Sequence, residues 1–307
     1  LSSGRITDTA SGNAQIVVSG NASLTGADIQ MAESSGDSFS VGGVASLSTT
    51  GSGNITVAAA GTVNFSTLTF NSSGAVNIIE DSSTEIVSGN SAGILTITSA
   101  GAIIDPAQII VQQSAVFTGT SIYLAGNAAD VLDITDNLLL IASGGGSITI
   151  AAAGTVTLGS VTFQTTGTVL IFEDDDMLLA DSNSAATLTL NGAAQISNAA
   201  AASVTVSGNA DLTAPAIELG YAAADALNFG SLTLHSTGTV LITEDSSMSI
   251  VNTSSVNDLT LVAASGGLSI DGTLTVISAA NLLASGTNDL TLNGTMQTTA
   301  GSILLRA

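Results

Sequence analysis

Carboxylates dominate the chemistry open to this chain. The densest run of charge is Glu173, Asp174, Asp175 and Asp176, and such residues can act in two ways. Paired carboxylates about 5 to 10 Å apart, one with a raised pKa, act as general acid and base in glycan cleavage; clustered carboxylates supply the oxygen ligands that Ca²⁺ takes at about 2.4 Å. A second group, Asp130, Asp133 and Asp136 in AADVLDITDN, has the spacing of a turn that could hold a cation. His235 is the single histidine.

Internal repetition weakens the catalytic readings. TVNFSTLTFNSSGAVNIIED from Thr62 returns as TVTLGSVTFQTTGTVLIFED from Thr155, a shift of 93, and again as LNFGSLTLHSTGTVLITED from Leu227, a shift of 71. Glu80, Glu173 and Glu244 are therefore equivalent, several coils apart, and cannot act on one substrate atom. The expectation for residues 173–176 is a solvated corner that blocks edge pairing, with a local Ca²⁺ site as the lesser alternative. Asp130, Asp133 and Asp136 are expected as a solvent-facing row, since the Gly-rich nonapeptide of calcium-binding β-rolls is absent. His235 is replaced by Asn71 and Gln164 in the other copies, which marks a polar corner group. Phe70, Phe163 and Leu234 share one position, as do Phe65 and Leu158, and read as core filling. No catalytic residue is assigned, and the chain is expected not to be an enzyme.

The elements that must carry these residues are short strands. LSTTGSGNI from Leu47 returns as FNSSGAVNI from Phe70 after 23 residues, and LIASGGGSI from Leu140 returns as FQTTGTVLI from Phe163 after the same interval. The spacings of 93 and 71 residues differ by 22, close to that quantum, so the long unit reads as four coils and the short one as three. A whole coil has been dropped between Tyr221 and Leu227, which only a stack of nearest-neighbour layers tolerates. The predicted fold is all-β, a parallel β-helix of about 23 residues per turn and about 13 turns, in one continuous solenoid. Its repeat units run approximately 1–61, 62–154, 155–226 and 227–307. Triplets such as LTF at Leu68 and LTL at Leu232 alternate an inward apolar residue with an outward Thr. Ser-Gly-Asn at Ser19, Ser88 and Ser207 is expected at corners, with Asn in left-handed angles.

Composition excludes several partners. The 307 residues carry two Arg, no Lys and 24 acids, a net charge of −22. Nucleic acid and anionic lipid, which are held by Lys and Arg, are excluded on that ground. Mean hydropathy is +0.54, yet no run of about 18 apolar residues suggests a membrane helix, and absent Trp argues against the aromatic girdles of a membrane barrel. With no Cys there is neither a disulfide framework nor a thiolate metal site. LRA from Leu305 followed by LSSGRITD from Leu1 would align with LTITSAGAIID from Leu95. Head-to-tail β-stacking with a second copy or with neighbouring repeats is the expected partnership.

The phrases NFGSLTLHSTGTVLITEDSSMSI, VSGNADLTAPAIELG and LTITSAGAIID resemble the repeats of very large bacterial β-strand-repeat surface proteins, of the planctomycete type. More distantly they are similar to filamentous-haemagglutinin-like adhesin shafts. The resemblance implies a right-handed parallel β-helix, exported and displayed at the cell surface, serving adhesion or envelope architecture, with surface glycans or other cells as further partners. No cofactor is implied, Ca²⁺ at Glu173, Asp174, Asp175 and Asp176 being the one candidate ligand. The alternative is a carbohydrate-binding or carbohydrate-cleaving β-helix of the tailspike or lyase type, which would need basic residues and exposed aromatics in a groove.

Overall fold

The computed structural model describes residues 4–8, 13–57, 60–105, 107–285 and 288–307. The chain is a parallel β-solenoid of about 13 turns with ~22 residues per turn. It divides into two compact units, Leu1–Gly159 and Ser160–Ala307.

Each unit is wound as three strand columns per coil. In the first unit Ile16 pairs with Phe39 and Phe39 with Val63; Ala22 pairs with Ala45 and Ala45 with Leu68; Ile29 pairs with Ile55 and Ile55 with Val76. Leu47 lies opposite Phe70, so the 23-residue echo is the coil itself. Long strands such as Ser38–Thr49 and Thr62–Asn71 run round a corner, and the register shifts there between Val41 and Val44. Alternation then decides what fills the interior: Phe39, Val41, Val63, Leu68, Phe70, Val76 and Ile78 are buried, while the residues that alternate with them face outward. Phe39 and Phe65 meet edge to face with ring centroids 5.1 Å apart, an aromatic contact in a mostly aliphatic core.

Corners are made by close approach between coils. A Cβ on Gly53 would overlap the Ala27 carbonyl oxygen of the coil beneath, so only glycine fits. Other corners use a four-residue loop that ends in aspartate. Asp37 donates its amide to Ser34 O and accepts the Ser34 amide on its own carboxylate, both at 2.9 Å. Asp130 does the same with Asn127, and Asp225 with Ala222.

These loops show where the coil was dropped. In the first unit Ile122–Leu124 pairs with Ile148–Ile150, which belongs to a coil begun by Val131–Ala142 just after the Asp130 loop. In the second unit Ala216–Leu219 pairs directly with Thr239–Glu244. The strand after the Asp225 loop, Ala226–His235, starts as Val131 does and continues as Thr62–Asn71 does. Excision succeeds because successive coils present the same edge to their neighbours.

Candidate functional site

The three repeated strands mark places where one column of the stack ends. Along Thr62–Asn71 the next coil makes contact at Asp81, whose amide donates to Val63 O at 2.9 Å, and then leaves the strand. It rejoins at the bridge of Leu68 to Ile86 and the pairing of Asn71 with Ser91. The column of residues 62–65 stops, and the column of residues 68–71 divides: Thr84–Glu85 continues to Ile103–Ile104 and Gly89–Ala92 to Gln108–Val111. With Ile94–Ser99 over Ala75–Glu80, the coil again has three columns.

A strand that loses its neighbour leaves amides to be satisfied, and burial makes each orphan expensive. Side chains supply the missing acceptors. Asp81 Oδ2 accepts from the Val63 amide at 2.7 Å and Glu80 Oε1 from the Phe65 amide at 2.9 Å. Further along, Asn90 Oδ1 accepts from the Phe70 amide at 2.9 Å, and Asn90 Nδ2 donates to the carbonyls of Ser88 and Gln108. The same step recurs on Ala226–His235. Asp245 Oδ2 takes the Leu227 amide at 3.1 Å, Glu244 Oε1 the Phe229 amide at 2.8 Å, and Ser254 Oγ the Leu234 amide at 3.0 Å. In the middle copy Phe163 donates to Asn183 Oδ1 at 3.0 Å. Ser88, Asp181 and Asn252, equivalent residues, all have positive φ of 51° to 64° at the corner this geometry demands.

The solvated-corner expectation is therefore corrected for the glutamates. Glu80, Glu173 and Glu244 are buried, whereas Asp174, Asp175 and Asp176 are exposed. The four acids at residues 173–176 do not face one space, and Asp176 is engaged by the Gln195 amide at 3.0 Å. Asp130, Asp133 and Asp136 are also separated. Asp130 is buried within its own loop; Asp133 and Asp136 lie on the strand Val131–Ala142 rather than in a turn. Among the described residues no three acidic or histidine side chains are placed to hold a metal ion. The Ser-Gly-Asn reading changes too: the left-handed residue is Ser88, and Asn90 is buried as a hydrogen-bonding plug.

Burial sets the electrostatics of the steps. Desolvation pushes the Glu80 carboxyl up, and hydrogen bonds from Thr84, Phe65 and Ser82 pull it back. The Thr84 hydroxyl reaches Oε2 at 2.6 Å and the Ser82 hydroxyl Oε1 at 3.0 Å, so both oxygens are served. Glu244 has Ser246 on Oε1 at 3.1 Å, but Met248 stands where Thr84 does and Oε2 accepts nothing. Desolvation raises Glu244 to about 7 against the pull of the Phe229 amide and the Ser246 hydroxyl.

Sequence reasoning passed over a further buried acid. Asp105, fully buried, receives the Ala107 amide on Oδ1 at 3.0 Å, while Oδ2 has no partner. Burial lifts its pKa to about 8, with the Asp130 charge adding to the rise. The signal was present in the repeat, which sets an amide, Asn198, at the position of Asp105. Exposed Asp271 is the opposite case: hydroxyls of Ser269 and Ser249 and the Asn293 amide hold it down at about 2.

The chain matches no protein-family model, no curated protein and no solved structure.

His235 ends the strand Ala226–His235, half-buried, with Nε2 3.9 Å from Asp211 Oδ1. Thr213 lies beneath it and Ser255 above it in register. Together with Asn191, Pro215 and Ser236 these residues line an open corner groove of about 420 Å³. The groove is a succession of corners laid one over another, with a row of hydrogen-bonding side chains, Asn191, Thr213, His235 and Ser255, along one wall.

Proposed function

We propose that this chain is a structural, non-enzymatic segment of an extracellular shaft on a bacterial cell surface, supporting adhesion or envelope architecture. The observation that carries this reading is the tolerated loss of one coil. The second unit lacks a coil that the first possesses, yet both reproduce the same step with the same buried acceptors. Such a sequence specifies how layers stack and leaves their number free, which suits a spacer. Its partners are neighbouring repeats or further copies joined by β-stacking, with surface glycans or other cells at a remove.

Negative-stain imaging and light scattering of the purified chain over a range of concentrations test the proposal. Elongated particles or filaments that lengthen with concentration support it; compact particles that degrade polysaccharide overturn it. The corner groove at His235 favours a second reading, a carbohydrate-binding β-helix. Calorimetry with neutral oligosaccharides should then give heat that His235→Ala abolishes.

A further inference from the structure

The step on Ala226–His235 differs from the step on Thr62–Asn71 at one buried atom, and two further features bear on that atom. First, a buried carboxyl oxygen, Glu244 Oε2, has no hydrogen-bond donor, where Glu80 Oε2 has the Thr84 hydroxyl at 2.6 Å. Second, as at Glu80, the coil that seals it touches the strand below at Asp245 and rejoins it at Leu232 to Ile250, beyond which Asn252, Ser254 and Ser255 tie it to Thr233, Leu234 and His235. Third, an open cavity of about 290 Å³ runs beside the sealing segment, lined by Gly230 of the strand below, by Ser247, Met248 and Ser249 of the segment, and by residues of the coils that follow, among them Leu268 and Asp289. Met248, the residue in Thr84's place, thus borders both the seam and the cavity.

The charges around Glu244 do nothing to fix it as a carboxylate. Asp245, the neighbouring acid, disfavours ionisation. On the strands packed against it, Glu218, His235 and Asp258 occupy half-buried outward positions and do not act on it. An ionised carboxylate with one bare oxygen needs water or another donor.

We propose that the Glu244 step is a proton-operated latch: with the carboxyl protonated, residues 245–250 seat on Ala226–His235, and with it ionised that segment lifts and admits solvent through the seam. The Glu80 step, with both oxygens satisfied, stays seated through the same change. No covalent chemistry is involved; one proton leaves to solvent and returns.

Hydrogen exchange of the full chain, measured residue by residue from pH 5.5 to 8.5 and corrected for the intrinsic rate, is the test. Protection at Phe229 and Met248 should fall by up to about tenfold per pH unit until the pH reaches the seated pKa of about 7 and level off above it, because below that value the seated segment keeps a proton that the lifted one releases. Protection at Phe65 should hold. Glu244→Gln should give a flat profile, and Met248→Thr should leave the segment seated at pH 8. Equal losses at Phe65 and Phe229, or a wild-type profile as flat as that of Glu244→Gln, would overturn the latch. Should Glu244→Gln not fold, carbon-detected titration of the Glu244 carboxyl in the wild type decides, a midpoint near 4.5 refuting it.

Discussion

The steps at Glu80 and Glu244 are two copies of one device, and they differ at the atom that matters. Both cap a phenylalanine amide with a buried carboxyl oxygen, at 2.9 and 2.8 Å. At Glu80 a threonine hydroxyl completes the shell; at Glu244 a buried methionine does not. The lesson concerns what an edge cap requires. One acceptor per orphaned amide closes the strand, but the acceptor's other oxygen must also be served, or the cap becomes sensitive to its own protonation state.

The largest effect should come from removing the caps. Glu80→Ala strands the Phe65 amide and two hydroxyls and opens a cavity, a loss of about 3 to 5 kcal/mol; Glu244→Ala strands one fewer hydroxyl and should lose about 1 kcal/mol less. Urea unfolding at pH 6 measures both, and equal losses would erase the distinction.

Next is pH. Glu244 has a folded pKa of about 7 against an ordinary 4.5. Between those values the folded state keeps a proton that the unfolded chain has released, so stability is greatest below 4.5 and declines as pH rises to 7. About 2.5 units correspond to about 3 kcal/mol. Asp105, raised to about 8, adds a decline of the same sign in the first unit. Thermal unfolding between pH 4.5 and 8.5 should show a falling midpoint, and Asp105→Asn with Glu244→Gln should flatten it.

Exchanging the residues that differ sharpens the comparison further. Thr84→Met should raise the Glu80 pKa further and destabilise the chain at pH 8 by about 1 to 2 kcal/mol, while Met248→Thr lowers that of Glu244. Carboxyl titration by NMR reads both directly. The smallest effect lies at the left-handed corner. Ser88→Asn should stabilise by a few tenths of a kcal/mol and Asn252→Ser destabilise by as much, because Asn tolerates positive φ better; differential scanning calorimetry resolves such changes when they are measured side by side.

Much of the fold was legible because its determinants are local and repeated. The 23-residue echo from Leu47 to Phe70 is a registered pair, and Phe70, Phe163 and Leu234 are core residues as their shared position implied. The missing coil between Tyr221 and Leu227 was visible as a difference of spacings. The site was not legible in the same way. Residues 173–176 read as a surface run because ionised carboxylates ordinarily face water, and nothing within that tetrapeptide separates Glu173 from the three aspartates.

Sequence alone determined the period, the alternation of inward and outward positions, and the interchangeability of coils, since each is set by side chains a few residues or one coil apart. Only the tertiary structure decided that a column ends above Phe65 and Phe229. The demand for an internal acceptor arises from a strand that is not there, and the absence of a neighbour is written in no single stretch of chain. Whether Thr84 or Met248 faces the second oxygen then settles how that acceptor responds to protons.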